Sequence, residues 1–138
     1  MNNLSPATTN YLLEVSLEDL HKESRTWLSE IDFWKIELSF YQKLLQKVSL
    51  KLNTTEEKQK IDHFQNLIIY YQGELLDQYK HDIREHEKYL DNMIREKAPF
   101  NEQLYREPHK NFEDKIKAFD LQFKQFRKDL YAFAEKYI

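Results

Sequence analysis

The sequence predicts an all-α protein: an antiparallel three-helix bundle of long, coiled-coil-like helices in a single domain, residues 1–138. Three observations lead to this prediction. The chain contains one glycine and no cysteine, and its apolar residues recur at alternating steps of three and four over three long segments. Gly73 alone cannot supply the positive φ angles that hairpins and Gly-rich phosphate loops need. The lack of cysteine excludes disulfides and thiolate zinc sites.

The first helix is predicted over about residues 16–52. Ser16 is placed to act as its N-cap, and Glu18 and Asp19 follow in the first turn, where the helix dipole favours acids. The buried face consists of a and d positions, among which only Ser24 is polar. Its members are Leu17, Leu20, Ser24, Trp27, Ile31, Trp34, Leu38, Tyr41, Leu45, Val48 and Leu52.

The second helix is predicted over about residues 55–97. Thr54 and Glu57 have the spacing of a capping box, and Pro99 stops the helix at its other end. Because the connection before it is so short, the first two helices are expected to form an antiparallel hairpin. Its buried face comprises Ile61, Phe64, Ile68, Tyr71 and Leu75, then Tyr79, Ile83, His86, Leu90 and Met93. Consecutive four-residue steps mark a stutter beside Gly73.

Residues 98–108 are predicted to be an interhelical loop, with Phe100, Leu104 and Tyr105 covering the end of the bundle. The third helix is predicted over about residues 109–137, and residues 1–15 are expected to be a loosely ordered N-terminal arm. The buried face of the third helix comprises Phe112, Ile116, Phe119, Phe123, Phe126, Leu130, Phe133 and Tyr137. We interpret these rings and the two tryptophans as core packing rather than as a ligand cavity, because they follow strict helical spacing.

Composition and motifs favour a protein with no enzymatic activity, cofactor or metal. The formal net charge is −3, and the basic residues are interspersed with acids, so nucleic-acid binding is not expected. There is no apolar run of membrane-spanning length and no recognisable leader, so we expect no membrane insertion and a cytoplasmic location. A di-iron bundle needs two Glu-x-x-His motifs, and only Glu18–His21 matches.

One polar constellation remains, centred on His86 in the buried face of the second helix. Asp82 lies one turn before it, and the hairpin register places Glu18, His21 and Ser24 at the same level. This layer could bind zinc or a similar ion through nitrogen and oxygen ligands. Alternatively, its polar groups satisfy a half-buried His86 and fix the helix register. In both cases His86 is predicted to be buried and bonded to Asp82 or to a group on the first helix.

The pair His81 and Glu85 has the same spacing as Asp82 and His86. It points away from the predicted layer, and we interpret it as a surface pair.

Apolar residues outside the buried faces favour a protein-interaction or structural role. Phe33, Ile36 and Phe40 lie on the back of the first helix. Further apolar residues surround the hairpin tip: Leu44, Leu50, Leu67, Ile69 and Tyr70. Clustered exposed apolar residues of this kind usually form an interface, unless a wider third helix covers them.

These residues lead us to predict a homodimer formed through the hairpin of the first two helices. A third helix starting near residue 109 would leave the hairpin tip only two helices thick. Two tips packed antiparallel about a two-fold axis would bury that surface, with the back of the first helix at the flank. The alternative cover is residues 1–15 folding back over the patch. A different function, a metal- or small-ligand-binding bundle, would use the Asp82/His86 layer.

Three stretches resemble a group of small all-helical bacterial proteins with no assigned activity. They are Trp27-Leu28-Ser29-Glu30, His63-Phe64-Gln65-Asn66 and the segment from Lys80 to Glu87. The resemblance implies a compact helical protein of the bacterial cytoplasm and implies no chemistry. It draws attention to His86 without assigning it a role.

Overall fold

A computed structural model describes residues 16–96 and 102–138, and these residues form helices without any strand. The elements are α1 (Leu17–Ser49), α2 (Thr55–Tyr70), a π-helical turn (Tyr71–Leu75), α3 (Leu76–Glu96), α4 (Glu102–Ala134) and a 3₁₀ turn (Glu135–Tyr137). The backbone stays helical from α2 through the π turn into α3, so the described residues form three long helical rods. The predicted all-α class is confirmed.

The predicted starts of the first two rods are confirmed in atomic detail. The Ser16 hydroxyl accepts a hydrogen bond from the Asp19 backbone N–H at 3.1 Å. Thr54 and Glu57 form a reciprocal capping box, in which each side chain accepts from the other residue's backbone N–H. α1 ends at Ser49, three residues before the predicted end at residue 52, and a short turn then leads to Leu52, whose side chain is still buried.

The π turn is the structural form of the predicted stutter. A π-helical turn contains one residue more than the corresponding α-helical turn. The buried face therefore passes from Tyr71 directly to Leu76, which is fully buried, whereas Leu75 is only partly buried. The assignment of Leu75 to the buried face was wrong for this reason, and beyond the turn Ile83, His86 and Leu90 lie in the core as predicted.

The third rod begins earlier than the sequence predicted. Residues 102–108, predicted as part of a loop, are helical, and Pro108 lies inside α4. Tyr105 and His109 lie on the core face of this segment and are fully buried, and their burial offsets the hydrogen bond that a proline cannot donate. Leu104 does not cover the bundle end, since it is exposed. Residue 100 and the predicted arm, residues 1–15, lie outside the described residues.

The earlier start gives α4 the same length as α1, 33 residues each, or about 50 Å. α4 and its 3₁₀ turn therefore reach the α1–α2 connection. There the Lys51 ammonium donates to the Tyr137 backbone carbonyl at 2.6 Å, and the Tyr137 hydroxyl donates to the Glu57 carboxylate.

The predicted two-helix tip is therefore wrong. Of the apolar residues expected to be uncovered there, Leu44 and Leu67 are partly buried, and the others are buried: Leu45, Val48, Leu52, Ile61, Phe64 and Ile68.

Polar pairs fix the register between the first two rods. The Lys80 ammonium on α3 donates to the Asp32 carboxylate on α1 at 2.8 Å, and the Gln72 amide in the π turn donates to the Ser39 hydroxyl at 2.7 Å. None of the described helices is long and apolar enough to cross a membrane.

Candidate functional site

A buried polar layer lies near the start of α1, where α3 and α4 both face it. We define it by Glu23 on α1, His86 and Glu87 on α3, and Tyr105 and His109 on α4. His109 is fully buried and His86 is 8% exposed. His86 Nε2 lies 3.2 Å from His109 Nδ1, and His109 Nε2 lies 3.0 Å from a Glu23 carboxylate oxygen. The layer is thus a chain of hydrogen bonds that links all three rods.

The carboxylate sets the direction of this chain. Since an ionised Glu23 can only accept, His109 carries its proton on Nε2 and donates to Glu23. His109 Nδ1 then has a free lone pair and accepts from His86 Nε2–H. A carboxylate that holds a histidine tautomer in this way is also common behind metal ligands. Here the nitrogen that it orients faces another imidazole.

The remaining members pack against this chain. The Tyr105 ring stacks on the His86 ring, with centroids 4.1 Å apart and planes 6° from parallel. Its hydroxyl donates to the Glu87 carboxylate at 2.7 Å, and the same carboxylate pairs with His21 at the surface. Ser24 is fully buried and interacts with the Tyr105 hydroxyl, without reaching hydrogen-bond geometry with any described residue.

Burial controls the protonation of the layer. Burial, together with the neighbouring His109, lowers the pKa of His86 to about 4. Burial also lowers the pKa of His109, although the hydrogen bond to Glu23 and its negative charge act in the opposite direction. Both imidazoles are therefore neutral at pH 7. Burial, with the contact to Glu87, raises the pKa of Tyr105, so its hydroxyl keeps its proton.

The predicted burial of His86 is confirmed, and its predicted partners are wrong. Asp82 accepts a hydrogen bond from Gln78 on its own helix at 2.9 Å. His21 is opposite Glu87 rather than bonded to His86, and Glu18 pairs with Lys22.

The five residues of the predicted layer are therefore not brought into one bonded group. The physical reason is the early start of α4, which places His109 and Tyr105 against His86. His81 and Glu85 both lie on the surface, as predicted, where Glu85 pairs with Lys88.

The geometry also bears on metal binding. Within residues 16–96 and 102–138, no group of three or more histidine or carboxylate side chains is arranged to hold a metal ion. Both nitrogens of His109 are engaged in hydrogen bonds. The arrangement can fix the helix register and respond to acid, because protonating either imidazole would place a charge in a buried site.

The burial of His109 and Tyr105 could have been predicted from helical spacing. Counting back from Phe112 by three and then by four gives these two positions, so the buried face of the third helix could have been extended. Pro108 weighs against this extension, because proline is more common at a helix start.

An exposed apolar stripe lies on the opposite side of α1 from the core. It consists of Phe33, Ile36 and Phe40, which are 61%, 66% and 61% exposed. Their spacing of three and then four residues places them on one helix face over two turns. We call this set the α1 stripe.

The helix behind the α1 stripe is firmly held. The Arg127 guanidinium on α4 donates two hydrogen bonds, at 2.9 and 2.7 Å, to the Glu37 carboxylate on α1. The Tyr41 hydroxyl donates to the same carboxylate at 2.9 Å. The stripe is therefore presented on a rigid support.

A second surface feature differs from the α1 stripe. A groove of about 810 Å³ runs between α2 and α4. Its floor is formed by Phe64, Phe126 and Phe133, which are already buried, and its rims carry polar residues such as Gln59 and Gln125. A partner in this groove would therefore cover little additional apolar surface, whereas the stripe offers three large exposed side chains.

Compared with protein-family models, curated proteins and solved structures, the chain matches none of them.

Proposed function

We propose that this protein is a non-enzymatic helical interaction module, an antiparallel three-helix bundle that self-associates as a homodimer through the α1 stripe. As the resemblance to small bacterial helical proteins implies, we place it in the cytoplasm. The bundle geometry is supported by the opposite order of paired residues on α1 and its neighbour, and by seams with coiled-coil spacing.

The exposure of the α1 stripe carries the proposal. A large apolar side chain that remains in water forgoes about 1.5–3 kcal/mol of burial energy. Single exposed apolar residues are normal, but three on one face of a rigid helix are typical of a contact surface. Phe33, Ile36 and Phe40 together would contribute a continuous apolar strip to an interface.

The proposed interface differs from the one expected from the sequence. α4 covers the apolar core of the hairpin tip, and the apolar side chains that stay exposed around it, Leu50, Ile69 and Tyr70, lie outside the α1 stripe. The back of α1, expected at the flank of the interface, becomes its centre. The metal- or ligand-binding alternative built on Asp82 and His86 has no support among the described residues, because Asp82 bonds to Gln78 and His86 to His109.

Sedimentation velocity at micromolar concentrations tests the proposal. We expect the native protein to sediment at twice the 17.0 kDa of one chain. Phe40→Glu places a charge in the apolar interface and should return the protein to the monomer. The matched control is Leu121→Glu on α4, where an equally exposed leucine lies outside the stripe. It should sediment like the native protein.

Circular dichroism should show that both variants keep the native helix content, since both positions are exposed. A native protein that is monomeric up to about 100 μM, well above the concentrations at which specific interfaces form, would overturn the proposal. A dimer that Phe40→Glu leaves intact would also overturn it, because the interface would then lie elsewhere.

A further inference from the structure

We infer that two copies pair their α1 helices in antiparallel orientation about a two-fold axis near Ile36, so that Phe33 of each copy contacts Phe40 of the other. This inference rests on the proposed self-association and adds the orientation and register of the interface. It is carried by the distribution of charge around the α1 stripe and by the spacing of its three residues.

The two ends of the α1 stripe carry opposite charges. Glu30 and Asp32 precede the stripe, and Lys43 and Lys47 follow it. The two lysines form no ion pair or hydrogen bond with any described residue. At the acidic end, burial and the nearby Asp120 raise the pKa of Glu30, and no described cation pairs with its carboxylate. Asp32 already pairs with Lys80 of its own chain, so the charges without a described partner are Glu30 at the acidic end and Lys43 and Lys47 at the basic end.

Antiparallel pairing supplies these missing counter-charges. It places the acidic end of one copy beside the basic end of the other at both edges of the interface. Parallel pairing would place Glu30 near its own counterpart and the lysines near theirs, which is repulsive at both ends. Charges at the rim of an interface set orientation and association rate more than affinity, so they decide between these two arrangements.

The spacing of the stripe suits a two-fold axis at its centre. Phe33 and Phe40 are seven residues apart, or about two helical turns. When two helices pair in antiparallel orientation around the midpoint of this interval, each Phe33 meets a Phe40, and Ile36 lies close to its own counterpart. Because the same surface is used on both copies, such an interface closes on itself and the assembly stops at two.

Disulfide trapping provides a direct test, because the native chain contains no cysteine. Phe33→Cys and Phe40→Cys are prepared separately and then mixed before mild oxidation. We expect the mixture to form a disulfide-linked dimer at least ten times faster than either variant alone, since only mixed pairs bring the two sulfurs together. Ile36→Cys is expected to cross-link with itself. Leu121→Cys, equally exposed on α4, measures random collision and should remain unlinked.

A charge-reversal series tests the same geometry without removing any apolar contact. Lys43→Glu should raise the dissociation constant roughly tenfold at low salt, and this effect should shrink as salt screens the charges. Adding Glu30→Lys to the same chain exchanges the signs of the two ends and should recover most of the lost affinity. A parallel dimer would show no such recovery.

The outcomes separate this inference from the proposed function. If Phe33→Cys alone cross-links as fast as the mixture, the helices are parallel and the inference is wrong. If the native protein is a dimer but none of the three stripe cysteines cross-links faster than Leu121→Cys, the register is wrong while self-association stands. If sedimentation shows only monomer, the proposed function itself fails.

Discussion

The middle and the base of this protein are both built from the buried faces of the three helical rods, but the buried residues differ in chemistry. In the middle, the fully buried Phe123 contacts the rings of Trp34, Tyr41 and Tyr71. At the base, the equivalent seam positions hold the buried polar layer, in which His86 and His109 meet through a hydrogen bond. Helical spacing therefore determines which positions are buried, and the residue type determines which interactions the buried side chains make.

The difference separates two physical roles. Aromatic rings gain their energy mainly from buried area, and a shift of the helices by one heptad would bring similar rings together again. The Glu23–His109–His86 chain can form in only one register, because each donor meets a single acceptor. We therefore interpret the middle as the main source of stability and the base as the source of register, at the cost of sensitivity to acid.

The largest effect is expected from the middle. Phe123→Ala removes a fully buried ring that α4 packs against both other rods, and the resulting cavity should lower the free energy of unfolding by about 3–5 kcal/mol. Urea denaturation followed by circular dichroism measures this loss. The matched control is Leu121→Ala, two residues away and exposed, for which we expect a change within about 0.5 kcal/mol. A loss below about 1 kcal/mol for Phe123→Ala would contradict the role given to the middle.

The base should determine the response of stability to acid. The pKa of His86 is about 4 in the folded protein and 6.5 in the unfolded chain, so folding favours the neutral ring. Its contribution is complete above pH 6.5 and is lost as the pH falls from 6.5 towards 4. The loss amounts to about 3 kcal/mol at pH 4, and the lowered pKa of His109 acts in the same direction.

His86→Gln isolates this effect, because the amide can still donate to His109 but cannot take up a proton. Between pH 7 and pH 4 the variant should lose less stability in urea denaturation than the native protein, by about 2–3 kcal/mol. The control His81→Gln, at an exposed position on the same helix, should follow the native curve. Equal losses for the native protein and His86→Gln would mean that folding does not lower the pKa of His86.

The local features of the fold could be predicted from the sequence. The caps at Ser16 and Thr54 depend on residues within one turn, and the a and d spacing depends only on helical periodicity. The burial of Ser24 and His86 followed from the same periodicity, although both are polar. These features need no information about the neighbouring rods.

The start of α4 could not be predicted, because two signals near Pro108 conflict. Locally, a proline favours a helix start, whereas the burial of Tyr105 and His109 extends the helix through it. Because of this one error, we expected the wrong partners for His86 and an uncovered hairpin tip. The helical spacing reaches both positions, but it does not decide whether the burial of Tyr105 and His109 outweighs the preference of Pro108 for a helix start.

The smallest effect is expected where the two regions join. Gly73 lies in the π turn between the aromatic middle and the polar base, and a Cβ added there would meet no atom within 4 Å. Alanine is favoured over glycine inside a helix by about 0.8–1.0 kcal/mol, chiefly because the unfolded chain loses freedom. Gly73→Ala should therefore raise the free energy of unfolding by about 0.5–1 kcal/mol, whereas the control Glu74→Ala should change it by less than about 0.5 kcal/mol. A loss of stability in Gly73→Ala would mean that the π turn depends on the glycine backbone. In that case Gly73, and not only the extra residue of the turn, would be needed to keep the buried faces of the middle and the base aligned.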